Sequence, residues 1–243
     1  MPTTLFISDL HLADERPEIN TLFFRFLNEI AVSAKSLYIL GDLFEYWVGD
    51  DQLDIDPLAR AVADSLRKLT TRGVHVFFMH GNRDFLIGAR FAQETGLTIL
   101  PDPALIELDG ERVLLMHGDT LCTDDVEYQK FRALARSDKW QRETLAKPYA
   151  ERNALAHSIR AQSDSAKAIK TEEIMDVTPE TVAHVFRAHA CPLMIHGHTH
   201  RPATHQHIVD GHACERWVLA DWHGRGECLA ISQRRWQRVV VQQ

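Results

Sequence analysis

Short apolar runs alternate with amphipathic stretches through the first half of the chain. "TTLFISD" (3–9) predicts a strand. Ile19, Leu22, Phe23, Phe26, Leu27 and Ile30 then recur at helical spacing across 17–33. "SLYILGD" (36–42) is a second strand, and Leu58, Val62, Leu66 and Leu69 mark a helix over 57–72 that Gly73 stops. "VHVFFMHGN" (74–82) is a third strand, followed by a short helix at 85–95. Strand and helix in alternation predict parallel strands joined by right-handed crossovers. Strands that are apolar throughout predict a sheet covered on both faces.

The fourth strand, "RVLLMHGD" (112–119), begins the same way, but the pattern then changes. Residues 125–170 carry no strand signal and are helical, polar and mixed in charge. That is long for a connection between strands, so it predicts a helical cap inserted into one α/β domain spanning 1–243. A helix near 178–190 and a strand "PLMIHGH" (192–198) follow. The tail, "RWVLADW", "GECLAIS" and "WQRVVVQ", predicts antiparallel strands between glycine-containing turns. The fold class is α/β, two-layered or sandwiched, with a helical insertion.

Composition changes this picture little. The chain has 243 residues, 45% hydrophobic and 25% charged, as ordinary globular proteins do. A net charge of −7 argues against a general nucleic-acid footprint. The four cysteines form no Cys-x-x-Cys, and "MPTTLFISDL" turns polar too soon for a leader. No apolar window reaches the length of a membrane span. These features predict a reduced, cytoplasmic protein. The one excess is histidine, at 14.

The chemistry sits at the strand ends. They read Asp9-Leu10-His11, Gly41-Asp42, Gly81-Asn82-Arg83-Asp84, His117-Gly118-Asp119 and Gly197-His198-Thr199-His200. Ligands of open α/β sheets bind beyond the carboxyl ends of the strands. Singly, each motif is an ordinary turn or a core histidine. Jointly, five segments deliver Asp9, His11, Asp42, Asn82, His117, His198 and His200 to one sheet edge. In "LMIHGHTHRP", His196, His198 and His200 fall at alternate positions, which a strand would place on one side. Seven oxygen and nitrogen donors without a thiolate suit two ions of Mn²⁺, Zn²⁺ or Fe²⁺. Such a pair shares a carboxylate, can hold a bridging hydroxide and clamps phosphoryl oxygens. The reaction class is hydrolysis of a phosphoester or phosphoanhydride.

This series of motifs resembles the calcineurin-like metallophosphoesterase superfamily, over Asp9 to His200. The resemblance implies a sandwich of two mixed β-sheets flanked by helices. It implies one metal on Asp9, His11 and His200, another on Asn82, His117 and His198, and Asp42 bridging, with the hydroxide held there. His196 has no place in that set; it is expected to be bonded nearby, with a supporting role to the ligands as the alternative. Where the superfamily usually has Gly-Asn-His, this chain has Arg83. Arginine is no general acid but binds phosphate bidentately and can stabilise its charge. That favours a leaving group already stable as an anion, hence a pyrophosphate bond.

"GNRDFL", "HGDTLCTDD", "IMDV" and "IHGHTHRP" resemble, more closely, the family of UDP-2,3-diacylglucosamine diphosphatases of lipid A biosynthesis. The resemblance implies hydrolysis to 2,3-diacylglucosamine 1-phosphate (lipid X) and UMP, by water attack on the α-phosphorus with two Mn²⁺ ions. It implies a peripheral protein on the cytoplasmic face of the bacterial inner membrane, with no obligate protein partner and no nucleic acid. The substrate residues it implies are Asn82, Arg83, Asp125, Ser163, Lys167, Lys170 and His198. Lys167 departs from the usual Asn, and on sequence alone the lysine pair also fits a solvated helix face. Trp140, Leu145, Leu155 and Ile159 fit either an acyl groove or packing within the cap. Two other readings stay open: a soluble metallophosphoesterase acting on another nucleotide or nucleoside-diphosphate derivative, and a non-catalytic scaffold.

Overall fold

The computed structural model describes residues 3–167 and 174–241. Strand β1 (Thr4–Ile7) leads to helix α1 (Pro17–Glu29), and β2 (Ser36–Ile39) to α2 (Gln52–Ile55) and α3 (Pro57–Thr71). Then come β3 (His75–Met79), α4 (Ala89–Thr95), β4 (Thr98–Leu100), β5 (Ala104–Leu108) and β6 (Glu111–Leu115). Three consecutive helices follow: α5 (Val126–Ala135), α6 (Asp138–Leu145) and α7 (Tyr149–Lys167). The chain closes with α8 (Pro179–His189), β7 (Leu193–His196), β8 (Ala203–Val209), β9 (His212–Val218), β10 (Gly226–Ser232) and β11 (Arg235–Val241).

Local chemistry explains the clearest boundaries. Helix α3 starts at Pro57, whose fixed φ suits the first helical turn, and Asp56 accepts from Leu58 N (2.8 Å) and Ala59 N (3.2 Å). Ser137 accepts from Trp140 N at 3.3 Å and so separates α6 from α5. Pro148 then interrupts the pattern ahead of α7.

Two mixed sheets result. One has the order β11-β10-β1-β2-β3-β4, and the other β5-β6-β7-β9-β8. Strands β1 to β4 run parallel, as do β6, β7 and β9. Strand alternation divides the core into layers. On β1, Leu5 and Ile7 pack with α1 and α3, while Phe6 faces the interior between the sheets. On β6, Val113 and Leu115 face that same interior, and Leu114 packs on the other side with Val182 and Phe186 of α8. Each fully buried side chain of this size contributes roughly 1.5–3 kcal/mol.

The structure departs from the sequence reading in several places. The five motif-bearing strand ends belong to two sheets: β1, β2 and β3 in one, β6 and β7 in the other. The edge strands β4, β5 and β8 escaped the apolar patterning, because edges are short or polar on one face. Strand β9 covers His212–Val218 rather than 216–222, and it runs parallel to β7 while β8 pairs with it antiparallel. The segment 85–88 is irregular, with Gly88 leading into α4. Only part of 17–33 is α-helix, since Ala31–Ser33 tightens into a 3-10 turn.

Helices α5 to α7 are tied to the strand ends. Arg136, which caps the C-terminus of α5, donates to Gly81 O at 2.8 Å. The buried Arg152 of α7 donates to Val48 O at 2.9 Å and pairs with Asp51.

Candidate metal centre

The backbone beyond the strands is bent to bring side chains together. Asp9 (φ 55°), His11 (52°), Asp42 (54°), His198 (66°) and His200 (56°) are all left-handed. Each such residue costs ~1–3 kcal/mol and persists only when its surroundings over-determine it. Here they do. Leu10 N and His11 N both donate to Asp42 O (2.9 and 3.0 Å), which ties the end of β1 to the end of β2. Asp84 is fully buried and accepts from Gly81 N (2.9 Å) and Leu43 N (2.7 Å). Burial and the neighbouring Asp42 push its carboxyl up to about 7. A Cβ at Gly81 would collide with Asp42 Oδ1, and one at Gly197 with Asp9 Oδ2. Only glycine lets these carboxylates approach the backbone so closely.

The side chains then converge in two groups. Asp9, His11 and His200 offer ligand atoms within 4.8 Å of one another, and so do Asp9, Asp42 and His117. His200 Nε2 lies 3.4 Å from Asp9 Oδ1 and 3.3 Å from His11 Nε2. Asn82 Oδ1 lies 3.1 Å from His117 Nε2 and 2.9 Å from His198 Nδ1. Asp42, of the second group, has Oδ2 3.8 Å from His11 Nε2 of the first and Oδ1 3.8 Å from His117 Nε2 of its own. Thus one carboxylate turns an oxygen toward each group.

This donor set fits divalent cations. Asp9 Oδ1 is buried and accepts no hydrogen bond, and His11 Nε2 and His200 Nε2 face each other at 3.3 Å. A buried carboxylate without such compensation is costly. Burial alone would raise the Asp9 carboxyl, but His200, with His117 and His11, holds it well below the usual range. Burial dominates at Asp42 and raises it. His117 is pushed up to about 9, because Asp42, Asp119 and Asp9 outweigh its burial. His198, half-buried, is lowered to about 4 by desolvation and by the neighbouring His117.

A second layer of residues supports this cluster. His117 Nδ1 faces Leu40 O at 2.8 Å. Asp119 Oδ2 accepts from Tyr128 Oη (2.6 Å) and Arg132 Nε (2.7 Å), and Tyr128 stacks on His198 at 5.9 Å. Asp221 Oδ2 lies 3.7 Å from His200 Nδ1, and Glu45 Oε2 lies 3.0 Å from His11 Nδ1. Tyr128, Arg132 and Asp221 reach the cluster from other segments of the chain, whereas Glu45 and Asp119 follow Asp42 and His117 by three and two residues.

The remaining predicted residues divide. Arg83 Nη1 lies 3.6 Å from Glu45 Oε1, and its buried Nε makes no hydrogen bond. Asp125 caps α5, accepting from Tyr128 N at 3.1 Å. Ser163 is on α7, three residues beyond Arg160, whose Nε is 3.0 Å from Glu45 Oε1. Lys167 is the last residue of α7, and Lys170 lies outside the described residues. Trp140 packs near Phe85, with ring centroids 6.0 Å apart; Leu155 and Ile159 are half-buried and Leu145 is exposed. His196 ends β7, so the alternation does not continue through His198 and His200, which turn in the left-handed region. It is buried and neutral, with Nε2 accepting from Arg216 Nη1 at 2.9 Å, and burial with that guanidinium lowers it to about 3.

The model of the calcineurin-like phosphoesterases matches residues 2–202. The chain belongs to the calcineurin-like phosphoesterase family. Its α/β architecture of two mixed sheets with flanking helices accords with that membership. Among its relatives, a UDP-2,3-diacylglucosamine hydrolase of Aromatoleum aromaticum is 55% identical over 91% of this chain and 89% of that protein. One of Cellvibrio japonicus is 51% identical over 94% of this chain and 95% of that protein. A solved archaeal phosphodiesterase is 12% identical over 98% of this chain and 99% of that one, with a TM-score of 0.46. Family membership and the clustered carboxylates and imidazoles together mark the chain as a hydrolase that uses metal.

Proposed function

We propose that this protein hydrolyses the pyrophosphate bond of UDP-2,3-diacylglucosamine, releasing UMP and 2,3-diacylglucosamine 1-phosphate, a step of lipid A biosynthesis. The observation that carries the reading is the convergence of seven donors in a chain 55% identical to a hydrolase of that substrate. One metal position would use Asp9, His11 and His200, and the other Asn82, His117 and His198, with Asp42 between them. Oxygen and nitrogen donors without a thiolate suit Mn²⁺. When bound, two such ions would activate water and neutralise charge on the phosphoryl oxygens.

The chain's own residues account for the choice of bond. Attack of water on the α-phosphorus forms a P–O bond and breaks the anhydride P–O bond. The departing sugar 1-phosphate takes the bonding electron pair, and the water proton is lost to solvent. Arg83 stands where a superfamily histidine would protonate the leaving group, yet its guanidinium has no proton to give at useful pH. A phosphate leaves without one; an alkoxide does not. Arg83 instead offers charge to the phosphate, helped by the buried N–H of Nε that has no partner.

In this reading residues 1–243 form one metallophosphoesterase domain with 125–170 as its helical cap, and α5 to α7 are the described part of that cap. Asp125, Ser163, Lys167, Lys170 and His198 would contact substrate. No helix among the described residues is long and apolar enough to cross a membrane. Val126, Leu134 and Leu145, exposed on α5 and α6, support approach to a bilayer surface that presents the two acyl chains. Working on that surface from the cytoplasmic side is consistent with four buried, free cysteines.

The test is Mn²⁺-supported release of UMP from UDP-2,3-diacylglucosamine, beside UDP-N-acetylglucosamine and bis(p-nitrophenyl) phosphate. The acylated substrate should be turned over far faster than either comparison. Equal turnover of the unacylated sugar nucleotide would sink the lipid assignment.

A further inference from the structure

Glu45 follows Asp42 by three residues on the loop after β2. That loop lies against the loop after β1, through a bridge between Leu12 and Phe44 and a hydrogen bond from Glu45 N to Leu12 O (3.1 Å). The pairing sets Glu45 beside His11, with Oε2 3.0 Å from Nδ1, a short contact that is not aligned as a hydrogen bond. The other ring nitrogen, Nε2, faces His200 Nε2 (3.3 Å) and Asp42 Oδ2 (3.8 Å).

This orientation has a chemical consequence. A carboxylate 3.0 Å from Nδ1 electrostatically favours a proton on that nitrogen, which leaves Nε2 unprotonated and able to bind a cation. The opposite group lacks this backing at His117, whose Nδ1 faces the neutral carbonyl of Leu40 at 2.8 Å. Glu45 is itself held from the far side. Its Oε1 lies 3.0 Å from Arg160 Nε and 3.6 Å from Arg83 Nη1, and its side chain is only 16% exposed. A carboxylate so clamped has little freedom to leave the imidazole.

We propose that Glu45 is a positioning residue for His11 and sets the affinity of the metal position formed by Asp9, His11 and His200. This rests on the reading that His11 is a metal ligand. Carboxylates in this role are typically worth about 10–100-fold in metal affinity.

The experiment is a Mn²⁺ titration followed by electron paramagnetic resonance, on wild type, His11→Ala, Glu45→Ala and Glu45→Gln. Apo-state melting curves accompany each variant. Glu45→Ala is expected to weaken one Mn²⁺ position by about 10–100-fold, the position that His11→Ala abolishes, and to leave the other position unchanged, whatever fall in apo melting the loss of its pairs with Arg160 and Arg83 brings. Glu45→Gln, which retains an acceptor oxygen, should lose less. Affinities in Glu45→Ala within about twofold of wild type at both positions would overturn the proposal while leaving the metal reading intact. Should Glu45→Ala not fold, Glu45→Asp decides by the same criterion, because its carboxylate is withdrawn by one methylene. A wild-type chain that binds no Mn²⁺, or a His11→Ala variant that binds it normally, would overturn the proposal by way of the underlying metal reading.

Discussion

Asn82 Oδ1 and His198 Nδ1 lie 2.9 Å apart across 116 residues of chain. The first sits beyond β3 in one sheet and the second beyond β7 in the other, so the contact closes the sandwich at its functional end. Asn82 is the one neutral oxygen donor among the seven. Asn82→Ala should lower metal affinity at the His117 and His198 position and cut UMP release by at least about 100-fold. Isothermal titration with Mn²⁺ and a product assay check the two effects separately.

Arg83 should separate from the ligands in its effect. Its guanidinium lies against Glu45, so Arg83→Ala should bind Mn²⁺ with the normal stoichiometry. Activity should nonetheless drop by about 10²–10³-fold, the usual worth of a donor aimed at developing charge. Arg83→Lys should recover little, because a point charge does not reproduce bidentate phosphate binding. A lysine variant with wild-type kcat would contradict the phosphate role.

Chelation gives a third expectation. Asp9 and Asp42 are both buried in one group with His117, and Asp42 is driven up by burial. Divalent cations should therefore bind the native chain and not the unfolded one. A metal concentration of 100 times Kd then adds about 2.7 kcal/mol of stability. EDTA treatment should lower Tm and abolish activity, and Mn²⁺ should restore both. A Tm indifferent to EDTA and Mn²⁺ would count against the metal centre.

Asp119 predicts a stability effect outside the ligand set. It is fully buried and depends on Arg132 (2.7 Å) and Tyr128 (2.6 Å) for compensation. Burial works against its charge, but His117 and Arg132 hold the carboxyl well below the usual range. Arg132→Ala removes the cation and strands that charge, at a cost of about 3 kcal/mol. Urea unfolding should show the loss as a shift in midpoint at constant slope. Tyr128, stacked on His198, should transmit part of it to activity.

The alternation of apolar strands with helices, and the seven residues that gather beyond the strand ends, were readable from the chain alone. Both depend on short-range physics. A buried strand shows its burial in its own residues, and a strand-end motif is set by neighbouring glycines such as Gly81 and Gly197. Periodicity could not say which strands share a sheet. It placed all five motifs on one edge, whereas β6 and β7 pair in a second sheet whose edge strands are β5, which is short, and β8, which is polar at alternate positions. It also carried the alternation of His196, His198 and His200 beyond the end of β7, where left-handed backbone replaces extended chain. Only the tertiary structure put Glu45 against His11 and Arg160, and Asp119 against Arg132. Those pairs hold because burial makes an uncompensated charge costly, and burial belongs to the folded assembly of segments rather than to any one of them.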